Sequence, residues 1–497
     1  MGLSHEPAQG AFRELAQELS DDVCEQARLA HDARFDGKFF IGVRTTGIYC
    51  RPICRVRPPQ RRNIDFFATA AAAREAGLRP CLRCRPEAAP GTPAWSGTSA
   101  TVSRALRRID EGALDAGSVD DLAAALGVSS RHLGRLFQEH LGASPWAVAQ
   151  TRRLHFAKRL IDETNLPMTR VAAAAGFPSQ RRFNAAVRAT WDRTPSELRR
   201  MQGRAGSNGT VRLRLAYRPP YDWASVLAFL EGRVMPGIEE VVAGTYRRTI
   251  EIGRATGWFA VRDAEEGDWL DLEIDFPDAH ALFAIVERVR GIFDLAADPL
   301  QIAAHLGRDP LLRGHLKKHP GVRLPGGWDP FELTVRAIVG QQVSVAAATT
   351  VAGRIVAEYG RPIPGDGGNL VRLFPRPEVL AEADIAKLGM PGKRADAIRT
   401  IARAVAEGEI VFDPGMALAD FEAMLVAMPG IGPWTAQYMA MRVLREPDAF
   451  PASDLGILMA LEENGERPKP RAVSERAEAW RPWRAYAARL LWASLAD

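Results

Sequence analysis

Cysteine, long apolar runs and a leader-like start are all scarce in this chain of 497 residues, and each shortage excludes something. Five cysteines, at positions 24, 50, 54, 81 and 84, are too few for a disulfide scaffold. They leave metal binding or thiolate chemistry. No apolar stretch approaches the roughly 20 residues of a membrane-spanning helix, so no membrane partner is expected. The opening MGLSHEPAQGAFRELAQELSDD lacks the basic-then-apolar order of a secretory signal, which predicts a cytoplasmic protein. Gly 43 and Pro 34 are too few and too aperiodic for collagen. The 46% hydrophobic and 25% charged content is an ordinary globular mix, and no repeat array is visible.

The charge is unevenly spread. Residues 1–210 hold 31 Lys and Arg against 21 Asp and Glu, an excess of ten, whereas the remainder holds 34 against 39. The first part therefore has the balance of a surface that meets a polyanion. At about 150 residues per domain the length predicts about three domains. Three stretches poor in periodicity divide the chain: Pro86–Ala100, Met201–Thr210 and the loop Pro362–Asn369. Ser118–Arg200 is a series of short amphipathic helices. VRLRLAY, YRRTIEI and WLDLEID then alternate as strands, and from about Pro330 the pattern is helical again.

Four cysteines form two close pairs, Cys50-x3-Cys54 and Cys81-x2-Cys84, separated by 26 residues. Each pair can present two sulfurs to one tetrahedral ion, so the spacing points to zinc over buried structural thiols, with Cys24 left as a bystander. Arg44, Arg51, Arg55, Arg57, Arg61 and Arg62 crowd the first knuckle, as a phosphate-contacting face would. Four thiolates on a divalent ion keep net negative charge, so one sulfur remains nucleophilic. VRTTGIYCRPIC followed by GLRPCLRC resembles the N-terminal module of the Ada adaptive-response regulators. The resemblance implies that Cys50 takes a methyl group from a methylphosphotriester in DNA, with Cys54, Cys81 and Cys84 as supporting ligands. Methylation would remove one negative charge and act as an electrostatic switch for DNA binding.

SVDDLAAALGVSSRHLGRLFQEHLG and TRVAAAAGFPSQRRFNAAVRATW each read as helix, glycine turn (Gly127, Gly176), helix. Two such units resemble the AraC-type DNA-binding domain. On that likeness Ser130, Arg131 and Arg135, then Gln180, Arg181 and Arg182, lie on or beside helices that enter the major groove. Read without it, the same arginines are solvated surface of two helical hairpins.

MPGIGPWTAQYMAMR carries Gly430 and Gly432 in a turn whose N–H groups can face a phosphate, with a helix directly after. With LGMPGKRADAIRTIA upstream and FPASDLGILMAL downstream, it resembles the helix-hairpin-helix DNA glycosylases. YRPPYDW, FDLAADP, RLPGGWDPFE, RAIVGQQVS and WRPWRAYAARLLW extend the likeness to AlkA-type 3-methyladenine DNA glycosylases. The resemblance makes Asp454 the catalytic carboxylate, although Ser-Asp before an apolar run is also an ordinary helix cap. Trp434 and Tyr438, four apart on one helix face, and Trp492 are candidates for the base pocket, since electron-rich rings suit a cationic base. Trp480 and Trp483 are expected to be packing. Trp434 stands where strand-cutting relatives have a Schiff-base lysine, so a monofunctional enzyme is expected. Gln342, in GQQVS, stands at the position of the wedge that fills the vacated stack. It is polar where AlkA is apolar. No P-C-H-R motif occurs and no cysteine follows Cys84, so the methyltransferase domain of full Ada is replaced by a glycosylase.

The expected fold is multidomain and mainly α with α+β parts. A zinc and methyl-acceptor domain spans 1–88, with one zinc on four cysteines, and an AraC-type double helix-turn-helix spans 100–200. A β-rich α+β domain spans 210–297 and an all-α helix-hairpin-helix domain spans 298–497. The expected function is an alkylation-response regulator and DNA-3-methyladenine glycosylase that hydrolyses N-glycosidic bonds. Double-stranded DNA and RNA polymerase are the expected partners. The alternative is a regulator whose glycosylase-like part only binds DNA.

Overall fold

Side-chain caps set about half of the helix starts among the described residues. Ser118, Ser129, Ser144, Ser179, Asp222, Asp329 and Ser344 each accept a hydrogen bond from a backbone N–H in the first turn of the helix that follows. Each cap stabilises its helix by about 1 kcal/mol. The structure, a computed structural model, describes residues 19–91, 100–202, 210–363 and 368–495. Most of the three expected linkers lies outside these residues. The first of them begins with an ordered turn, Pro86–Ala88, in which Glu87 is buried.

The chain divides into two compact units. The first comprises the described residues up to Pro219 together with Ala264–Arg290 and Leu295–Asp298. Its front is a four-stranded sheet that the cysteine spacing did not reveal. Phe40–Val43 lies between Ile64–Phe67 and Ile48–Cys50, both antiparallel to it, and Arg79–Pro80 pairs in parallel with Ile48–Cys50. Cys24, Phe39, Ile41, Val43 and Ile64 form its core. The helical part centres on the 19-residue helix Pro145–Glu163, about 28 Å long. In the same unit Val211–Ala216 pairs antiparallel with Trp269–Asp275, with alternate residues buried along each strand. Phe283 packs edge-on against Phe156 at 5.0 Å, and the Arg152 guanidinium lies 4.9 Å over the same ring.

The second unit comprises Pro220–Asp263, Gly291–Asp294 and the described residues from Pro299 onward. Glu239–Val242, Thr245–Ile252 and Ala255–Asp263 form an antiparallel meander. Arg248, buried, pairs with Glu239 at 3.0 Å and Glu332 at 2.8 Å. The rest is helical apart from a short antiparallel ladder between Arg361–Pro362 and Arg372–Leu373. Leu418–Val426 and Pro433–Met439 form a helical hairpin around Gly430, and a π-helical turn, Ala440–Leu444, follows the second helix. Trp480 and Trp483 are fully buried packing residues, as expected.

Candidate functional site

In the second unit the hairpin turn needs glycine at one position. Gly430 has φ +84°, and a Cβ there would lie 2.6 Å from that of Ala397. Gly432 caps the next helix and has nothing within 4 Å of a built Cβ, so the backbone is open to solvent on that side. On that helix Trp434 and Tyr438 stack with ring centres 5.5 Å apart and planes 10° from parallel. Trp492, on the helix Arg484–Ala493, is tilted against Tyr438 at 6.1 Å.

Asp454 faces these rings. Its Oδ2 accepts from Trp434 Nε1 at 2.9 Å, and its Oδ1 accepts from Trp492 Nε1 at 2.8 Å and from the Ile457 N–H at 3.1 Å. The carboxylate is thus the cap of the helix Leu455–Ala460 and the hub of the aromatic cluster at once. Gly456 makes the approach possible, because a Cβ there would lie 3.1 Å from both Asp454 Oδ1 and the Trp492 ring.

Sequence reasoning missed the arginines around these rings. Arg442, buried in the π-helical turn, donates to the Tyr438 hydroxyl at 2.8 Å and to the Gly326 carbonyl at 2.9 Å. Arg233, Arg442 and Arg489 stand 3.7, 4.9 and 5.0 Å over the Phe229 ring. Burial lowers the Arg489 guanidinium to about 10, and Arg233 adds to that. Burial raises the Tyr438 phenol, but the charges of Arg442 and Arg233 outweigh it and hold the group below its ordinary range. The four-residue spacing of Tyr438 and Arg442 was legible in sequence. Phe229 and Arg233, some 200 residues away, were not.

Gln342 lies between the helices Pro330–Val339 and Val345–Tyr359, exposed and at φ +55°. Val343 and Val345 beside it are also exposed. Gln341 turns inward instead, donating to the Gly430 carbonyl at 3.0 Å and to Thr435 Oγ1 at 3.1 Å.

In the first unit the sulfurs of Cys50, Cys54, Cys81 and Cys84 lie within 4.8 Å of one another. Thiols this close share protons, and hydrogen bonding within the quartet pushes Cys50 and Cys84 above the ordinary thiol value while it lowers the other two. Hydrogen bonding with Cys50 lowers Cys54 to about 7 and Cys81 further. Such a donor set, three of its members buried, fits one tetrahedral zinc ion. Arg51, expected among the phosphate-contacting arginines, is drawn inward. It pairs with Asp36 and donates to the Cys84 carbonyl at 3.0 Å, while its N–H points at Cys84 Sγ at 3.3 Å. A guanidinium beside a thiolate cluster lowers its energy best by folding onto a carboxylate and a knuckle carbonyl. Arg44 is exposed and pairs with Asp65 at 2.8 Å, and Arg55, Arg57, Arg61 and Arg62 are exposed.

Both knuckles touch the helix Pro145–Glu163. Tyr49 OH is 3.2 Å from His155 Nε2. Arg85, at φ +54° directly after Cys84, pairs with Asp162 at 3.1 Å and Glu163 at 3.0 Å, and buried Lys158 sits 2.5 Å from Asp162 and 3.4 Å from Glu87. Further along, Arg131 and Arg135 on Ser130–Leu141, and Arg181 and Arg182 on Gln180–Trp191, are exposed at or near helix starts; Ser130 bonds to Asp120.

A helical hairpin beside an aromatic, carboxylate-centred cluster, carried with a four-cysteine module and paired helix-turn-helix units, defines a base-excision repair protein with a zinc-binding, DNA-reading front. Family models match in the same order. The metal-binding domain of Ada covers residues 23–87, a helix-turn-helix domain 122–201, the AlkA N-terminal domain 212–329, and the HhH-GPD superfamily of base excision DNA repair proteins 335–485. The chain is 45% identical over 484 residues to the probable bifunctional transcriptional activator/DNA repair enzyme AlkA of Mycobacterium tuberculosis, covering 96% of this chain and 97% of that one. It belongs to that family. It is 33% identical to DNA-3-methyladenine glycosylase 2 of Escherichia coli, over 56% of this chain and 95% of that one. It is 35% identical to the bifunctional transcriptional activator/DNA repair enzyme Ada of the same organism, over 40% and 53%. The solved 3-methyladenine DNA-glycosylase from Archaeoglobus fulgidus shares the fold, with a TM-score of 0.51 at 23% identity over 56% of this chain and 96% of that one. No helix among the described residues is long and apolar enough to cross a membrane.

Proposed function

We propose that this chain is an alkylation-responsive transcriptional activator that also excises alkylated bases, chiefly 3-methyladenine, with Asp454 as the catalytic carboxylate. The observation that carries this is the Asp454 carboxylate held by the indole N–H groups of Trp434 and Trp492. A carboxylate has about four lone-pair sites, and three are taken by the two indoles and the Ile457 N–H. The fourth is open to a sugar or a water.

An alkylated purine carries positive charge and leaves readily once the nucleotide is turned out of the stack, a step that costs a few kcal/mol. The faces of Trp434, Tyr438 and Trp492 attract that cationic base. As the C1′–N bond breaks, its electron pair departs with the base, and Asp454 stabilises the sugar cation left behind. Asp454 also orients the water whose oxygen bonds to C1′ and accepts the proton that this water gives up. An indole at position 434 offers no amine for a Schiff base, so the product is an intact abasic strand. Backbone N–H groups at Gly430 and Gly432 grip a phosphate, and Gln342 enters the vacated space.

At the front, Cys50 Sγ attacks the methyl carbon of a methylphosphotriester. The S–C bond forms as the C–O bond breaks, and the pair stays on the phosphodiester oxygen. Zinc, when bound, keeps the sulfurs deprotonated and so nucleophilic. Arg44 and its exposed neighbours contact phosphate, while Arg51 holds the second knuckle in place. Arg131, Arg135, Arg181 and Arg182 then read promoter DNA, and RNA polymerase is the partner recruited there.

Two assays test this. Wild type is expected to release free 3-methyladenine from methylated duplex DNA and to gain one methyl group at Cys50 on DNA carrying methylphosphotriesters. DNA binding with no base release would favour the regulator whose glycosylase fold is only a binding module. Base release with no methylated Cys50 would leave a glycosylase with DNA-delivery arms.

A further inference from the structure

The strand Val211–Ala216 pairs with Trp269–Asp275 along one side and stands at the end of its sheet. An edge of this kind leaves a row of backbone N–H and C=O groups to be satisfied by something other than a strand. At Arg214 two side chains from one helix supply the partners. The Arg214 N–H donates to Glu163 Oε2 at 2.9 Å, and its carbonyl accepts from Arg159 Nη2 at 2.7 Å. Arg159 and Glu163 stand one turn apart on Pro145–Glu163, so a single helical face imitates the acceptor and donor of a neighbouring strand.

Glu163 has a second partner. Its Oε1 accepts from Arg85 Nη2 at 3.0 Å, and Arg85 directly follows Cys84 of the quartet. One carboxylate, its side chain only 8% exposed, thus joins a cysteine knuckle to the first strand of the segment that matches the AlkA N-terminal domain. A second clamp joins the same two parts. Lys38 pairs with Asp298 at 2.5 Å, and Asp298 is buried. Pulling the module away would strip that carboxylate of its cation, which is costly. All of these residues belong to the first unit.

We infer that the edge of Val211–Ala216 is a docking surface for the zinc-binding front of the chain, and that Arg85, fixed when the quartet holds zinc, keeps it docked through Glu163. An emptied quartet frees Cys84, Arg85 withdraws, and the Glu163 carboxylate loses the charge that sets its orientation. Arg159, whose Nε is 3.8 Å from the same carboxylate, then turns to it and away from the Arg214 carbonyl. Metal occupancy at the front is thereby read as backbone protection in the AlkA-type segment. The inference rests on the zinc site and on neither of the two reactions.

The test follows amide hydrogen exchange by mass spectrometry in the full-length protein, zinc-loaded and after chelation under reducing conditions. In wild type, chelation should speed exchange across residues 211–216 by about tenfold or more, the scale of one lost charge-assisted hydrogen bond. The helix Val119–Ala125 should keep its rate. Arg85→Met cuts only the knuckle end of the link, so exchange at 211–216 should be as fast with zinc as without it. Glu163→Gln, which cannot serve both partners as a carboxylate does, should behave likewise. It should also give up zinc at a several-fold lower chelator concentration, because coupling acts in both directions. Unchanged exchange at 211–216 in wild type, at a chelator concentration that deprotects Phe40–Val43, overturns the inference. So does an equal rise in Val119–Ala125, which is general unfolding, and so does a zinc response in Arg85→Met as large as that of wild type.

Discussion

Replacing Asp454 by Asn separates the two tasks its carboxylate performs. The amide oxygen can stay at the Oδ1 position, where it still accepts from the Ile457 N–H and from Trp492 Nε1. The amide nitrogen then faces Trp434 Nε1, donor against donor, where the carboxylate had accepted at 2.9 Å. Asn is as good a helix cap as Asp, so the helix Leu455–Ala460 keeps its start. One lost hydrogen bond costs about 1 kcal/mol of stability. Catalysis loses far more, because a neutral amide gives the sugar cation almost none of the charge stabilisation of a carboxylate. Losing one preorganised electrostatic partner costs about 3 to 4 kcal/mol, or roughly 10²- to 10³-fold in kcat. The assay is release of free 3-methyladenine in single turnover, run beside a urea melt of the same preparations. A folded variant within about threefold of wild type would refute the role assigned to Asp454. Asp454→Ala should in addition lose the cap and unfold earlier.

Three other outcomes are expected. Borohydride added during turnover should trap no covalent protein–DNA adduct, since position 434 carries an indole, and a trapped adduct would mean that an amine elsewhere attacks the sugar. Arg181→Ala with Arg182→Ala should weaken duplex binding across sequences and reduce the log–log salt slope by roughly two, about one for each phosphate no longer neutralised, and an unchanged slope would place both side chains off the DNA. Burial pushes the His155 imidazole down to about 4, against a usual value near 6.5. The unfolded chain therefore takes up the proton first, and the stability tied to neutral His155 is present above about pH 6.5 and lost as the pH falls toward about 4. His155→Gln should flatten that part of the acid limb in melts at stepped pH, and an unaltered limb would assign the acid loss to other groups.

Much of the site was legible because its residues are close in sequence or carry periodic spacing. Trp434 and Tyr438 share a face by the helical repeat alone, and their stacking follows from it. Asp454 could be read as cap or catalyst. The structure makes it the cap and sets both indoles on it, so the two readings were never exclusive. The strands 211–216, 245–252 and 269–275 were visible as alternation. Those of the zinc module were not, being short, with Phe40–Val43 buried throughout and offering no alternation to detect.

The order of modules, the cysteine quartet and the aromatic–carboxylate set are thus properties of the sequence, because spacing, glycine placement and charge are one-dimensional. What the tertiary structure alone decided lies across long separations. Arg51 turned inward because Asp36 and the Cys84 carbonyl converge on it. Arg233 and Arg489 reached the Phe229 ring beside Arg442, and Gln341 found the hairpin 89 residues away. Such interactions arise from packing of elements whose sequence patterns say only which face is apolar. The partner a buried polar group finds depends on which other groups the packing leaves within reach.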